Sequence, residues 1–281
     1  MAKLIQLRQR IKAIETIKKI THAMRLIAMS THSHLKSVQD PLSSYTHALD
    51  AIFAELSAMA HTWQNPIIHP TSQKNGKTLL IIIGSQKGLC GSFNTNLFKL
   101  ISYHLDKKLY PHLELIVIGQ KAIDFSKTLP YPIKHSYKKL NEARIESIAQ
   151  EVMHSLVYAS PFYQSVVIAS NIVKSFFTQK PHITKLIPFE LPATKKNELL
   201  DDYIWHQPSQ EILDTLIPQY LASQIYYYLF QSLLAEHAAR FISMDSATRN
   251  ANSLLETTRL EYNKLRQAKI TKELTELVGS F

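Results

Sequence analysis

Apolar positions at the two ends of the chain fall in long, narrow helical stripes. Near the N-terminus Leu4, Leu7, Ile11, Ile14, Ile17, Thr21, Met24 and Ile27 step by three or four, and no glycine or proline interrupts the first forty residues. Asp40-Pro41 reads as an N-cap with proline at the first helical position, so a second helix or a kinked continuation starts there. It runs through Leu49, Ile52, Phe53, Leu56 and Met59 and stops at Asn65-Pro66 and His69-Pro70. At the other end no proline follows Pro218 and no glycine appears before Gly279. One uninterrupted helix over that stretch would be roughly 90 Å long, at ~1.5 Å per residue, far more than a domain of this size spans. Ala247, Ala251, Leu254, Thr258, Tyr262 and Leu265 mark its seam, and Leu274, Leu277, Val278 and Phe281 keep its tip apolar. Each seam needs a partner, and the nearest is the other, as an antiparallel helical pair.

Between them the period changes. Leu79–Ile83 is a short, wholly apolar run, read as a buried strand; Leu113–Ile118 is read as a second buried strand and Ser165–Ser170 as a third. Two further β segments are expected near 172–177 and 182–189. Helices are expected from Phe93 through Leu97, Leu100, Ile101 and Leu105, from Gly119 to Lys127, and after Asn141 with Ile145, Ile148, Val152 and Leu156 inward. Strands alternating with helices predict a doubly wound, Rossmann-like α/β domain, closed by Pro188 and Pro192. The expected organisation is an N-terminal long helix over 1–65, an α/β domain over 75–208 and a C-terminal long helix over 209–281.

Composition narrows the classes. A hydrophobic fraction of 45% in 281 residues supports a packed core. No run approaches eighteen apolar residues, so no membrane-spanning helix is expected. The N-terminal segment lacks the apolar core of a secretory signal. It is basic and amphipathic, as a mitochondrial presequence is, but its stripe continues past residue 27 as a structural helix would. Cys90 alone excludes an intrachain disulfide and a four-cysteine metal site. The net charge of +10 implies an acidic partner, a nucleic acid or an anionic membrane face. Residues 1–36 carry Glu15 as their one acid, whereas the C-terminal helix mixes both signs, as a solvated face does.

The loop Gly84-Ser-Gln-Lys-Gly-Leu-Cys-Gly-Ser-Phe-Asn94 sits between a strand and a helix, where a phosphate loop belongs. Its glycine spacing fits neither G-x-G-x-x-G nor a Walker loop, so a tight turn permitting close helix–strand packing is expected and nucleotide binding is not. The thirteen histidines show no ligand pair beside a third ligand, His32 and His34 point to different helix faces, and no G-x-S-x-G elbow occurs. The basic N-terminal helix lacks interleaved aromatics for stacking on nucleic acid.

Several longer motifs are distinctive. E-H-A-A-R-F-x-x-M from Glu236, A-T-R-N-A from Ala247 and L-E-Y-N-K-L-R-Q-A-x-I-T-x-E-L-x-E-L from Leu260 resemble the γ subunit of F-type ATP synthases, the central rotor shaft. R-Q-R-I-K-A-I from Arg8 and K-K-I-T-H-A-M-R-L-I-A from Lys18 resemble that family's opening helix, and the glycine loop its S-D-R-G-L-C-G-G-F-N. The resemblance implies a non-catalytic subunit without cofactor or metal, coupling rotation of a membrane c-ring to the α₃β₃ catalytic ring. It implies α, β, ε and c-ring partners, with no nucleic acid and no nucleotide bound directly. It places Met24, Arg266, Gln267 and Thr271 against the β subunits, and Tyr203, Trp205 and His206 in a foot on the c-ring. The implied location is peripheral, on the cytoplasmic face of a bacterial inner membrane, ahead of an organelle inner membrane. Arg249 stands where the family commonly has an acid, His32 and His34 where it is usually basic, and the foot lacks the family's glutamate. The alternatives are a coiled-coil scaffold or nucleic-acid-associated protein with an α/β head, and then a nucleotide enzyme.

Overall fold

The computed structural model describes residues 2–59, 63–70, 76–107, 110, 112–189 and 208–278. Its elements run α1 (Ala2–Met59), β1 (Thr78–Ile83), α2 (Phe93–Lys107), β2 (Leu113–Ile118), α3 (Gln120–Ser126), β3 (Ile133–Tyr137), α4 (Glu142–Val157), β4 (Ser165–Ser175), β5 (Thr178–Ile187) and α5 (Ser209–Val278). The chain divides into two compact units, Met1–Thr31 with Arg240–Phe281, and His32–Ala239. Helices α1 and α5 contribute residues to both.

The larger unit is built on a five-stranded sheet in the order β3-β2-β1-β4-β5. β1 pairs in parallel with β2 and β4, β2 in parallel with β3, and β5 closes the far edge antiparallel to β4. All six residues of β1 are buried, as a central parallel strand covered on both faces requires. Alternate side chains choose the face. Leu79, Ile81, Ile83, Ile116, Ile118, Val166 and Ile168 pack with Ile145, Ile148 and Val152 of α4, and with Leu35 and Phe53 of α1 and Ile225 and Leu229 of α5. Leu80, Ile82, Leu115, Val117 and Ala169 pack with Leu97 and Ile101 of α2 and Ala122 of α3. Two core layers thus sandwich a mixed sheet.

The expected elements are present, with four differences. α1 is one helix with Pro41 inside it, so the continuation, not a second helix, is what forms. The third strand and the segment near 172–177 are one strand of eleven residues, β4, which turns into β5 at Phe176-Phe177. β3 was not foreseen: its Ile-Lys-His-Ser stretch is exposed and polar because it forms an edge. Asn141 does occupy the N-cap of α4, but in extended conformation and without a side-chain cap bond.

Stacked rings tie the segment at 63–70 to the helices. Phe53 of α1 stacks on Tyr220 of α5 with centroids 4.7 Å apart and meets Trp63 edge-on at 5.8 Å. Asp214 of α5 accepts hydrogen bonds from Trp63 Nε1 at 3.0 Å and Asn65 Nδ2 at 2.8 Å.

Candidate functional site

The smaller unit consists of the two chain ends, and it is a helix pair. On α1 the covered positions are Leu4, Leu7, Ile11, Ile14, Lys18, Thr21, Arg25 and Ala28; on α5 they are Met244, Thr248, Ala251, Leu255, Thr258, Tyr262, Leu265 and Lys269. Both series alternate steps of three and four. Ile14 clusters with Ala251 and Leu255, with Ile11 against them. The Thr21 and Thr248 hydroxyls lie 3.0 Å apart. Arg25 Nη1 donates to Asp245 Oδ1 at 2.7 Å, and Arg259 Nη2 donates to Glu15. Low numbers on α1 meet high numbers on α5, so the pairing is antiparallel.

This seam differs from the expected one by single residues. Ala28 is 1% exposed while Ile27 is 64% exposed, and Leu255 is buried at 6% while Leu254 is 44% exposed. Thr248 is buried where Ala247 was expected, and Ile17 lies outside the seam at 53% exposure. Ala28, Thr248, Ala251 and Thr258 place small side chains in the line among its larger ones. Larger apolar side chains are left outside it: Ile5, Ile17, Ile20, Leu26 and Ile27 on α1, and Leu254, Leu260, Ile270 and Leu274 on α5.

The charged pairs escaped sequence reading, although Glu15, the lone acid of a basic segment, was a signal for one. Asp245 is held on both oxygens, by Arg25 and, at 2.9 Å from Oδ2, by Arg249 on its own helix. Arg249 therefore adds a second cation to the Arg25–Asp245 pair.

Met24 is half-buried on α1, while Arg266, Gln267 and Thr271 are exposed on α5. The Thr271 hydroxyl donates to the Gln267 carbonyl at 3.1 Å, which aligns those two along one strip. Met24 is not gathered with them. It sits near the level of Asp245 and Thr248, some eighteen residues of helix from Arg266, or roughly 27 Å. Tyr203, Trp205 and His206 lie outside the described residues, as does Phe281.

The glycine loop in the larger unit spends its polar groups on itself. The Ser85 amide donates to Asn94 Oδ1 at 3.1 Å, Asn94 Nδ2 donates to Ser85 Oγ at 2.8 Å, and Ser85 Oγ donates to the Lys87 carbonyl at 2.8 Å. A Cβ on Gly84 would lie 3.1 Å from Ala122 of α3, so this glycine permits close helix–strand packing, as expected. The tighter constraint is Gly119, which is at φ 93 and has room for no side chain: a Cβ there would sit 2.2 Å from the Gly84 oxygen. Among the described residues no group of three or more His, Cys, Asp or Glu is placed to hold a metal ion.

A sequence model described as ATP synthase matches residues 3–281. The ATP synthase gamma chain of Pelotomaculum thermopropionicum is 31% identical over 283 residues, covering 99% of this chain and 98% of that one. That of Pelodictyon phaeoclathratiforme is 33% identical over 289 residues, with the same coverage. The chain belongs to the ATP synthase gamma-chain family. Solved structures agree on the fold. A chain of the Euglena gracilis mitochondrial ATP synthase, from a structure of its OSCP, F1 and c-ring, superposes with a TM-score of 0.67 at 15% identity, covering 99% of this chain and 93% of that one. A chain of the Tetrahymena thermophila mitochondrial ATP synthase central stalk and c-ring gives 0.60 at 21% identity, covering 81% and 99%. Gamma-chain membership accounts for the motifs at both chain ends and in the glycine loop, since the match spans all three.

Proposed function

We infer that this gamma chain is the central rotor shaft of an F-type ATP synthase. Ion flow through the membrane c-ring turns the shaft, and the shaft carries that rotation into the α₃β₃ ring, where each β site is biased in turn between open, loose and tight states. A rotor drives such a cycle only by touching the states differently, so its surface has to be asymmetric about its axis. The observation that supports this reading is the helix pair. Its seam is closed from Leu4 to Ala28 and from Met244 to Lys269, while Ile17, Ile20, Ile27, Leu254, Leu260 and Ile270 stay exposed. Solvent is a poor environment for so many large apolar groups on one slender pair; a surrounding sleeve is a good one.

In this reading the pair is an antiparallel coiled coil, with shaft segments over 1–65 and 209–281 and the doubly wound domain over 75–208. The chain is non-catalytic and binds no nucleotide or nucleic acid itself. Apolar side chains slide in the sleeve without breaking directional bonds, and Met24, Arg266, Gln267 and Thr271 supply angle-dependent contacts with β. Tyr203, Trp205 and His206 form the foot on the c-ring, and ε completes the rotor. Among the described residues no helix is long and apolar enough to cross a membrane. The proposed location is peripheral, on the cytoplasmic face of a bacterial inner membrane. The test is purification of the tagged chain from its native membranes. Recovery with α, β, ε and c-type subunits is the expected result, and recovery without α and β would refute the assignment.

A further inference from the structure

At the N-terminal ends of the parallel strands, on the face that carries α4, four polar side chains are joined in a row. Lys77 Nζ lies 3.2 Å from Glu114 Oε1, and the Tyr163 hydroxyl donates to Glu114 Oε2 at 2.7 Å. Lys134 Nζ donates to the Tyr163 oxygen at 2.7 Å and toward the Ser155 carbonyl at 3.4 Å. All but Ser155 line an open cleft of about 360 Å³, with Pro132 and Pro161 among its apolar walls. None of these residues belongs to the helix pair or the glycine loop, and the rotor reading gives them no task.

We propose that this cleft is a covalent acylation site, where the Lys134 amine attacks the carbonyl carbon of a small acyl phosphate whose phosphate is held by Lys77. Two N–H groups of Lys134 are directed at Tyr163 and Ser155, which leaves the nitrogen lone pair for the cleft. The lone pair forms the new C–N bond, and the carbonyl C–O bond to phosphate breaks with its electron pair leaving on phosphate. The surplus proton on nitrogen passes to the Tyr163 oxygen as the Tyr163 proton passes to Glu114, which then returns it to water. The products are an N-acyl lysine and inorganic phosphate, with no change of oxidation state.

The electrostatics fit the roles. Burial holds the Lys134 ammonium below the usual lysine range against the pull of Glu114, with Lys77 adding to the effect, so free amine is more available here than on an open surface. Burial alone would raise the Glu114 carboxyl, but hydrogen bonds from Tyr163 and Lys77 outweigh it and hold the group below its ordinary range, ionised and ready to accept. Burial and the adjacent Glu114 push the Tyr163 phenol up, so it stays protonated and relays rather than ionises.

The experiment treats the full-length chain with acetyl phosphate at neutral pH and follows each lysine by peptide mass spectrometry. Lys134 should be acetylated about tenfold faster than exposed Lys99 and Lys264, the modest end of what a positioned proton acceptor gives. Tyr163→Phe and Glu114→Gln should each remove most of that advantage. Lys77→Met should slow labelling by acetyl phosphate more than labelling by an uncharged acetyl ester. A cooperative thermal unfolding transition, followed by circular dichroism, shows that a variant is folded, and Lys99 and Lys264 serve as internal rate standards. Equal labelling of Lys134 and those two lysines overturns the proposal, as does an undiminished Lys134 rate in folded Tyr163→Phe.

Discussion

Single residues set the tolerances of the α/β unit. Gly119 and Gly88 flank the same loop region, yet a Cβ at Gly119 would collide with backbone, whereas at Gly88 its nearest neighbour is the Lys121 side chain at 4.0 Å. Gly119→Ala should cost about 3 kcal/mol or more, from strain at positive φ and displacement of the Gly84 carbonyl, while Gly88→Ala should stay within about 1 kcal/mol. Denaturant unfolding of the two variants measures both. Asp50 offers a second test. Burial raises its carboxyl above the usual range, against the opposing effects of His47 and the hydrogen bonds from Gln224 and Tyr220. The folded state therefore holds the proton more tightly than the unfolded chain. Stability from this group is complete below the unfolded value and falls as pH rises through the folded one. Asp50→Asn keeps an oxygen for the Gln224 donor, now at 2.8 Å from Oδ1, and should flatten the fall while changing neutral-pH stability by about 1 kcal/mol or less. An unaltered pH slope in Asp50→Asn would contradict this.

At the scale of elements, the sequence was most readable where burial was two-sided. β1, β2 apart from Glu114, and the first half of β4 are predominantly apolar runs, and they lie where that pattern predicts. β3 was illegible because an exposed edge strand has no hydrophobic period to display. The start of α5 at Ser209 was legible after Pro208, and the glycine loop was legible as a turn because its spacing suits no phosphate. The seam was legible in period but not in register. Ala251 and Thr258 lie in the seam as expected, but an apolar pattern alone does not separate Ile27 from Ala28, Ala247 from Thr248 or Leu254 from Leu255, and the pair buries the second of each. Arg25 and Asp245, 220 positions apart, gave no local signal of their pairing. The register is testable. Leu255→Ala should weaken the pair by about 2 kcal/mol, and Leu254→Ala by less than about 0.5 kcal/mol. Hydrogen exchange of the amides around residues 248–258 reads the difference, and equal acceleration in both variants would reject the register. Of the expected contact residues, Gln267 and Thr271 share a strip on α5, but Met24 belongs to another level of the pair, so any contact it makes is a separate one.

For the whole molecule, the helix pair has two tasks under the proposed function: to stay together through its seam and to engage β through its outer surface. Replacing both Arg266 and Gln267 with alanine should separate them. Both residues are exposed and outside the seam, so assembly with α and β should persist. Charge-assisted hydrogen bonds are worth about 1.5–3 kcal/mol each when well formed, so ATP turnover should fall about tenfold or more. Normal turnover in the assembled double variant would remove these residues from the mechanism. The most direct measurement is rotation itself. Immobilise the assembled α₃β₃ ring by its α and β subunits, label the chain through Lys99→Cys on the exposed side of α2, and attach a bead. Unidirectional turning of the bead that starts with ATP and stops when ATP is exhausted is the predicted result. Sustained ATP turnover with the bead stationary and the chain still bound would contradict the rotor assignment.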